Sequence, residues 1–351
     1  MGEATTARYR WAPQLRVYDE MKRHWWPYVM SFNEPGFSSE VVHTDARGYR
    51  LSTRNGAALD NFGPAPGGEP TGLVVGASVT FGVGASRDEQ TISSILNETS
   101  AAAWRNAGGK AISSTQELVL FMIDHGDFAD LERVVLFSGV AELVVAALGI
   151  DADRCGPMFY LDSYQRRMNR RRLSARRRVM KAVFDPFVGP RTDWASASLG
   201  DLFRPQRAVD GRAADSGDVV ESALKFYRRN LSIWSRLCRP LGVDVAFVLQ
   251  PVMTWIDKRP SEEEVDLAAE LDTRHSNTWN AMRDHFTAET HSRYAAVLAQ
   301  ICAAEGISFF DSNEAFGHGS HHDEWLFVDR VHLNDRGNRV AADYIRGCGL
   351  A

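Results

Sequence analysis

The chain has 351 residues, of which 44% are hydrophobic and 24% charged, and a formal net charge of -5. That is enough apolar material for a large buried core, and the mildly acidic balance excludes a general nucleic-acid binder. Cys155, Cys238, Cys302 and Cys348 stand singly, with no CxxC pair or Cys/His cluster. This excludes a disulfide framework and a zinc finger, so reduced structural thiols are expected.

The chain opens with "MGEATTARYRWAPQLRVYDE", which has no apolar core of signal-peptide length. No later stretch approaches the roughly 18 apolar residues of a membrane span, so the expected location is cytoplasmic with no transmembrane segment. Residues 1–70, which include "WWPYV" and the turn-like "HTDARGYRLSTRNG", precede the first sheet strand and read as an N-terminal cap segment. Residues 71–351 read as one elaborated α/β domain. Its first strand is "GLVVG", Gly72–Gly76, followed by the glycine-rich turn "ASVTFGVGAS" and a helix expected to begin near Asp88. A second strand surrounds Trp104 in "AAWRNAG", and a helix is expected to take in Leu118 to Met122. "RVVLFSG", Arg133–Gly139, is the third strand.

A long insertion follows at about residues 150–216, holding the basic run "RRMNRRRLSARRRVMK", Arg166–Lys181. Its plain reading is a solvated helix face; the sharper one is a clamp for an anionic surface or a phosphorylated handle on a substrate. Beyond it, Val220, Leu224, Tyr227, Leu231 and Trp234 recur at three- and four-residue steps, giving a helix with one apolar face. "VDVAFVL", Val243–Leu249, is the fourth strand, and the carboxylates of "SEEEVDLAAE" lie on an exposed helix face. "HSRYAAVLAQICAAEG", His291–Gly306, is a helix stopped by its glycine, and "ISFFD", Ile307–Asp311, is the fifth strand. Strands that alternate with helices predict a doubly wound parallel sheet, whose ligands bind outside the strands' carboxyl ends. The three histidines of "HGSHHDE", His318–Glu324, lack a second ligand cluster and read as a solvated loop, so no metal site is expected.

The chemistry concentrates in two stretches. Ser78 follows the first strand in "GASVTFGVGAS", where a tight turn can expose its hydroxyl and offer its backbone N–H to an oxyanion. Such a turn also serves as plain structure or as a phosphate cradle. In "FVDRVHLNDRGNRVAADYI", Asp329 stands three residues before His332, just ahead of a helix. A serine needs a base within hydrogen-bond reach, and a carboxylate that fixes the imidazole's tautomer completes the set.

With these residues on the page, the chain resembles an SGNH/GDSL hydrolase. Ser78 matches that family's nucleophile, "DRVHLND" its last block, "NAGGKAISSTQE" (Asn106–Glu117) its second and "VVLFSGVAEL" (Val134–Leu143) its third. The resemblance covers roughly residues 71–146 and 241–347 and leaves the cap and the basic insertion unexplained. It implies a three-layer α/β/α, flavodoxin-like fold with a parallel sheet of about five strands. It also implies Ser78, His332 and Asp329 as the catalytic set, with backbone N–H groups of Ser78 and of Gly109 or Ala111 in the oxyanion hole. Two departures stand out. Ala77 replaces the aspartate of GDS, and Ala141 replaces the third-block asparagine whose amide donates to the oxyanion.

The expected activity is therefore that of a serine esterase or deacylase, without metal or organic cofactor, acting on a small-molecule or glycan acyl ester. An O-acylated sugar, a polysaccharide precursor or a secondary metabolite is the expected substrate class. Transfer of the acyl group to an alcohol, and a catalytically impaired binding protein, are the alternatives left open by Ala141.

Overall fold

The computed structural model describes residues 6–65, 67–148, 159, 163–164, 216–273, 278–317 and 321–351. The basic run Arg166–Lys181 and Cys155 lie outside the described residues. Five parallel strands form the central sheet: β1 (Thr71–Gly76), β2 (Ala103–Gly108), β3 (Leu131–Ser138), β4 (Asp244–Leu249) and β5 (Ser308–Asp311). Their spatial order is β2-β1-β3-β4-β5, a doubly wound order whose direction reverses beside β1. The five strands expected from the apolar runs are those found, with bounds that shift by one or two residues.

β1 and β2 are buried along their whole length, because helices cover both faces of the sheet. The period-two rule then sorts the side chains. Leu73, Val75, Val134, Leu136, Phe247 and Leu249 enter one core layer, packed on Leu224, Tyr227, Leu231 and Trp234 of a long helix and on Tyr294 and Leu298 of another. The intervening Val74, Val135, Phe137, Ala246 and Val248 enter the opposite layer, against Ile92, Ile95, Val340 and Ile345. Thus one α/β/α sandwich carries two cores, divided by the sheet.

The helices that matter below are α1 (Ala7–Trp11), α2 (Leu15–Glu20), α3 (Ser78–Phe81), α4 (Ile92–Leu96), α5 (Ser114–Asp124), α6 (Ala141–Ala147), α7 (Ser216–Cys238), α8 (Glu262–Thr273), α9 (Ala288–Glu305) and α10 (Asp335–Gly347). Gly306 follows α9 in the left-handed conformation, φ 70°, as a terminating glycine should. The helix expected near Asp88 begins instead at Ile92, as α4. Ser78 itself opens α3, and Gly82 at φ 85° ends it after one turn. Asp88–Gln90 forms only a short 3-10 turn ahead of α4.

Two glycines make the turn after β1 possible. A Cβ on Gly76 would fall 2.2 Å from the Phe137 carbonyl oxygen, and one on Gly108 would fall 2.2 Å from the Phe81 nitrogen. α3 can therefore lie directly on the ends of β1 and β2 only because these two positions lack side chains.

The segment ahead of the sheet packs on this turn. Ala12, Leu15, Tyr18, Met21 and Val42 form a small core with Phe81 at the end of α3, with Val83 just after it and with Val328. At its centre Arg50 is fully buried; its Nε donates to Asp88 Oδ1 at 2.7 Å and its Nη1 to the carbonyls of Phe81 and Gly82 at 3.1 and 2.9 Å. A buried guanidinium so placed has all its strong partners close by, which is the condition for tolerating it away from water. Among the described residues, no helix is long and apolar enough to cross a membrane.

Candidate active site

Ser78 and His332 come from opposite ends of the domain and meet at the carboxyl ends of the strands. Ser78 Oγ lies 2.7 Å from His332 Nε2, and His332 Nδ1 lies 2.7 Å from Asp329 Oδ2. With Nδ1–H donating to Asp329, Nε2 carries the free lone pair that accepts from the serine hydroxyl, the tautomer a general base requires. All three side chains are partly exposed, so a substrate can reach them.

Local sequence explains why they meet. The amide of Val328 donates to the His332 carbonyl, which closes a tight turn, and Asp329 Oδ1 accepts from the amides of Val331 and His332 at 2.9 and 2.8 Å. Asn334 then caps α10 by accepting from Gly337 N. The serine loop is pinned to the same place: Ser86 donates from both N and Oγ to Asp335, at 2.7 and 2.6 Å. Burial alone would raise the Asp329 carboxyl. The facing His332, its ring bond, the Val331 amide and the nearby Arg8 guanidinium outweigh it and hold Asp329 well below the ordinary carboxylate range. It therefore stays an anion across the neutral range.

The candidate oxyanion donors separate cleanly. Ser78 N–H sits in the first turn of α3, where no intrahelical acceptor exists. Gly109 N–H is not available, because it donates to the Gly76 carbonyl at 3.1 Å. This corrects the expectation that Gly109 contributes. The amide of Ala111 has no acceptor among the described residues, and Ala111 holds φ 48°, a left-handed conformation that costs a non-glycine residue about 1 kcal/mol or more. Glycine is the residue such a position favours.

Ala141 is the first residue of α6 and is 6% exposed, not placed on an open loop end. The neighbouring Glu142 points inward and is fully buried. Its Oε1 accepts from the amide of Ser114 and its Oε2 from the Tyr227 hydroxyl at 2.7 Å. Tyr227 stands 3.3 Å from Ser138 Oγ, which donates to Glu117 Oε1 at 2.9 Å. A chain of side chains therefore ties α5, the end of β3, α6 and α7 together beneath the site. Burial, and then the proximity of Glu142, push the Glu117 carboxyl up to about 8, with the Ser138 hydroxyl opposing; burial also raises Glu142. Sequence reading missed this network. Its one signal was glutamate between apolar neighbours, as in "QELVL" and "VAELVV".

The remaining residues take lesser places. Cys238 and Cys302 are buried free thiols, each pushed up to about 12 by burial, and Cys348 is half-buried and free. His321 faces Glu324 at 3.3 Å, while His318 lies outside the described residues. No group of three or more His, Cys, Asp or Glu that could hold a metal occurs among the described residues.

The strand order, a serine in the first turn after β1, and a histidine–aspartate turn after β5 together decide the architecture. The fold is a doubly wound α/β/α sandwich with Ser78, His332 and Asp329 gathered at the carboxyl ends of its strands. No protein-family model matches the chain, and no curated protein matches it. Several solved structures are similar to this chain. An extracellular lipase from Streptomyces rimosus has 10% identity and TM-score 0.43, covering 79% of this chain and 99% of that one. A carbohydrate acetylesterase family member from Sinorhizobium meliloti has 14% identity and TM-score 0.41, covering 80% and 97%. A phospholipase A1 from Streptomyces albidoflavus NA297 has 12% identity and TM-score 0.41, covering 80% and 98%. At these levels the reading of the site rests on this chain's own residues.

The buried acids give a pH-dependent prediction. Below the ordinary carboxylate range both folded and unfolded chains hold the Glu117 proton. Between about 4.5 and about 8 only the folded chain holds it, so this group's contribution to stability falls as pH rises through that window. Glu117→Gln keeps an acceptor for Ser138 and removes the titration. Its melting temperature relative to the wild type should climb from pH 5 to pH 8 and level off above. A difference independent of pH would mean that Glu117 is ionised in the folded protein.

Proposed function

We propose that the protein is a serine esterase of the SGNH type that cleaves an O-acyl ester. The observation that carries this reading is the hydrogen-bonded line Ser78–His332–Asp329, with both links at 2.7 Å. Ser78 Oγ attacks the acyl carbonyl while His332 Nε2 takes the hydroxyl proton; the same imidazolium, steadied by Asp329, returns it to the departing alcohol. Water then repeats the sequence on the acyl-enzyme and releases the acid. The N–H groups of Ser78 and Ala111 receive the oxyanion. These steps balance with protons alone and call for no electron carrier.

The substrate class we favour is the O-acyl ester of a sugar, a polysaccharide precursor or a secondary metabolite. Its support is the polar character of the surroundings. Arg8, beside Asp329, pairs with Asp19 at 3.1 Å, and Arg330 pairs with Asp272 at 2.8 Å. Such groups suit a hydroxylated alcohol portion better than a long acyl chain. Ala141 favours a second reading, a binding protein of this fold with impaired catalysis, because the amide that would complete the oxyanion hole is missing.

Turnover of a short-chain p-nitrophenyl ester, with and without an alcohol acceptor, separates these readings. Ser78→Ala and His332→Ala should each lower kcat by at least about 10³-fold while the protein stays folded, with Asp329→Asn losing less. An acceptor-dependent product would make the protein a transferase. Wild-type turnover in both Ser78→Ala and His332→Ala would remove the serine mechanism.

The missing amide is itself testable. One oxyanion donor is worth about 2.7–4 kcal/mol of transition-state stabilisation. Ala141→Asn should raise kcat by up to about 10²–10³-fold with little change in KM, because the new contact forms only in the transition state. The position is buried, so the larger side chain should also lower stability by about 1–3 kcal/mol. Unchanged kcat in a folded variant would mean that a third donor is not limiting.

A further inference from the structure

The amide of Ala111 lies on a turn, and something must hold that turn still. Four hydrogen bonds come to it from the segment ahead of the sheet. Asn33 Oδ1 accepts from the amide of Lys110 at 2.9 Å, and Asn33 Nδ2 donates to the Gly108 carbonyl at 3.1 Å. Arg23 Nη1 donates to the Lys110 carbonyl at 2.9 Å, and Lys110 Nζ donates to the Tyr18 carbonyl at 3.1 Å. Asn33 and Lys110 are 1% and 3% exposed, so these bonds form away from competing water. The residue one step beyond this bracket is Ala111, whose backbone conformation disfavours alanine.

The same segment grips the other half of the hole. The Tyr18 hydroxyl has the carbonyls of Gly82 and Ala85 within reach of its one proton, at 2.8 and 2.7 Å, and accepts from Arg50 Nη1 at 2.8 Å. Tyr18 thus touches the Ser78 loop with its hydroxyl and the Lys110 turn with its carbonyl. Asn33 bridges the end of β2 and that turn with a single amide, and it also donates to Gly48 within its own segment at 3.0 Å.

We propose that Asn33 is a positioning residue of the oxyanion hole: its carboxamide fixes the Gly108–Lys110 backbone so that the next N–H, that of Ala111, points at the reacting oxygen. The inference rests on the esterase reading above. It also gives the residues ahead of the sheet a catalytic duty. A hole with no side-chain donor from Ala141 depends wholly on two backbone amides, and their separation is set by Asn33 and Tyr18. A displacement of about 1 Å in such a donor costs up to about a hundredfold in rate.

The test compares Asn33→Leu, close in shape with no hydrogen bond, and Asn33→Asp, which keeps the acceptor facing Lys110 N–H. Both are assayed beside wild type and Ser78→Ala on the p-nitrophenyl ester, with the melting temperature of each recorded. Asn33→Leu should lose between about tenfold and a hundredfold in kcat, with KM within about twofold. Asn33→Asp should recover a large part of that loss, although its melting temperature is no higher. If Asn33→Leu does not fold, Asn33→Asp alone decides, since it must keep kcat within about tenfold of the wild type. Activity equal to wild type in Asn33→Leu, or a fall in Asn33→Asp as deep as in Asn33→Leu, overturns the positioning role while the esterase reading stands. Wild-type turnover in Ser78→Ala is the separate failure, that of the reading itself, and takes the inference with it.

Discussion

The 2.7 Å contact between Ser78 Oγ and His332 Nε2 joins residues 254 positions apart, and much of the architecture serves to make it. It requires that the end of the first strand and the loop after the last lie side by side. A parallel sheet in the order β2-β1-β3-β4-β5 places all carboxyl ends on one edge, with β1 at the point where the winding reverses. The serine must then leave β1 at once, and α3 does so by lying on Gly76 and Gly108, where any side chain would collide with backbone. The bonds from Ser86 to Asp335 close the remaining distance.

Around this contact the electrostatics are divided. The partly exposed acid, Asp329, is kept ionised by the imidazole and the amides it faces. The buried acids, Glu117 and Glu142, are pushed the other way by desolvation, Glu117 also by the nearby Glu142, and hydroxyls from Ser138 and Tyr227 link them. Same carboxyl group, opposite environments: one faces the His332 imidazole, the other pair ties four elements together. The segment before the sheet completes the arrangement from above, with Arg50 buried on the α3 carbonyls and Asn33 on the β2 turn.

Much of this was legible in the sequence. Apolar runs of strand length marked all five strands, because a sheet covered on both faces needs near-continuous hydrophobic residues. Asp329 and His332 could be paired because they share one turn, and Ser78 because its strand ends in glycine. What stayed hidden depended on distant backbone. Gly109 and Ala111 look equally able to donate until the Gly76 carbonyl takes the Gly109 amide. Nor does the sequence mark that Ala141 opens a helix, with Glu142 drawn inward by Ser114 and Tyr227. Asn33 carries no motif at all; its partners Gly48 and Lys110 lie 15 and 77 residues away.

The central claim is that Ser78 attacks a carbonyl whose oxygen is received by two backbone amides. The most direct measurement is a crystal structure of the protein after reaction with a serine-directed alkyl phosphonate, whose tetrahedral phosphorus stands for the reacting carbon. The account predicts phosphorus bonded to Ser78 Oγ, with one phosphoryl oxygen about 2.7–3.1 Å from the amide nitrogens of both Ser78 and Ala111. An adduct on another residue, or a phosphoryl oxygen directed away from both amides, would contradict it.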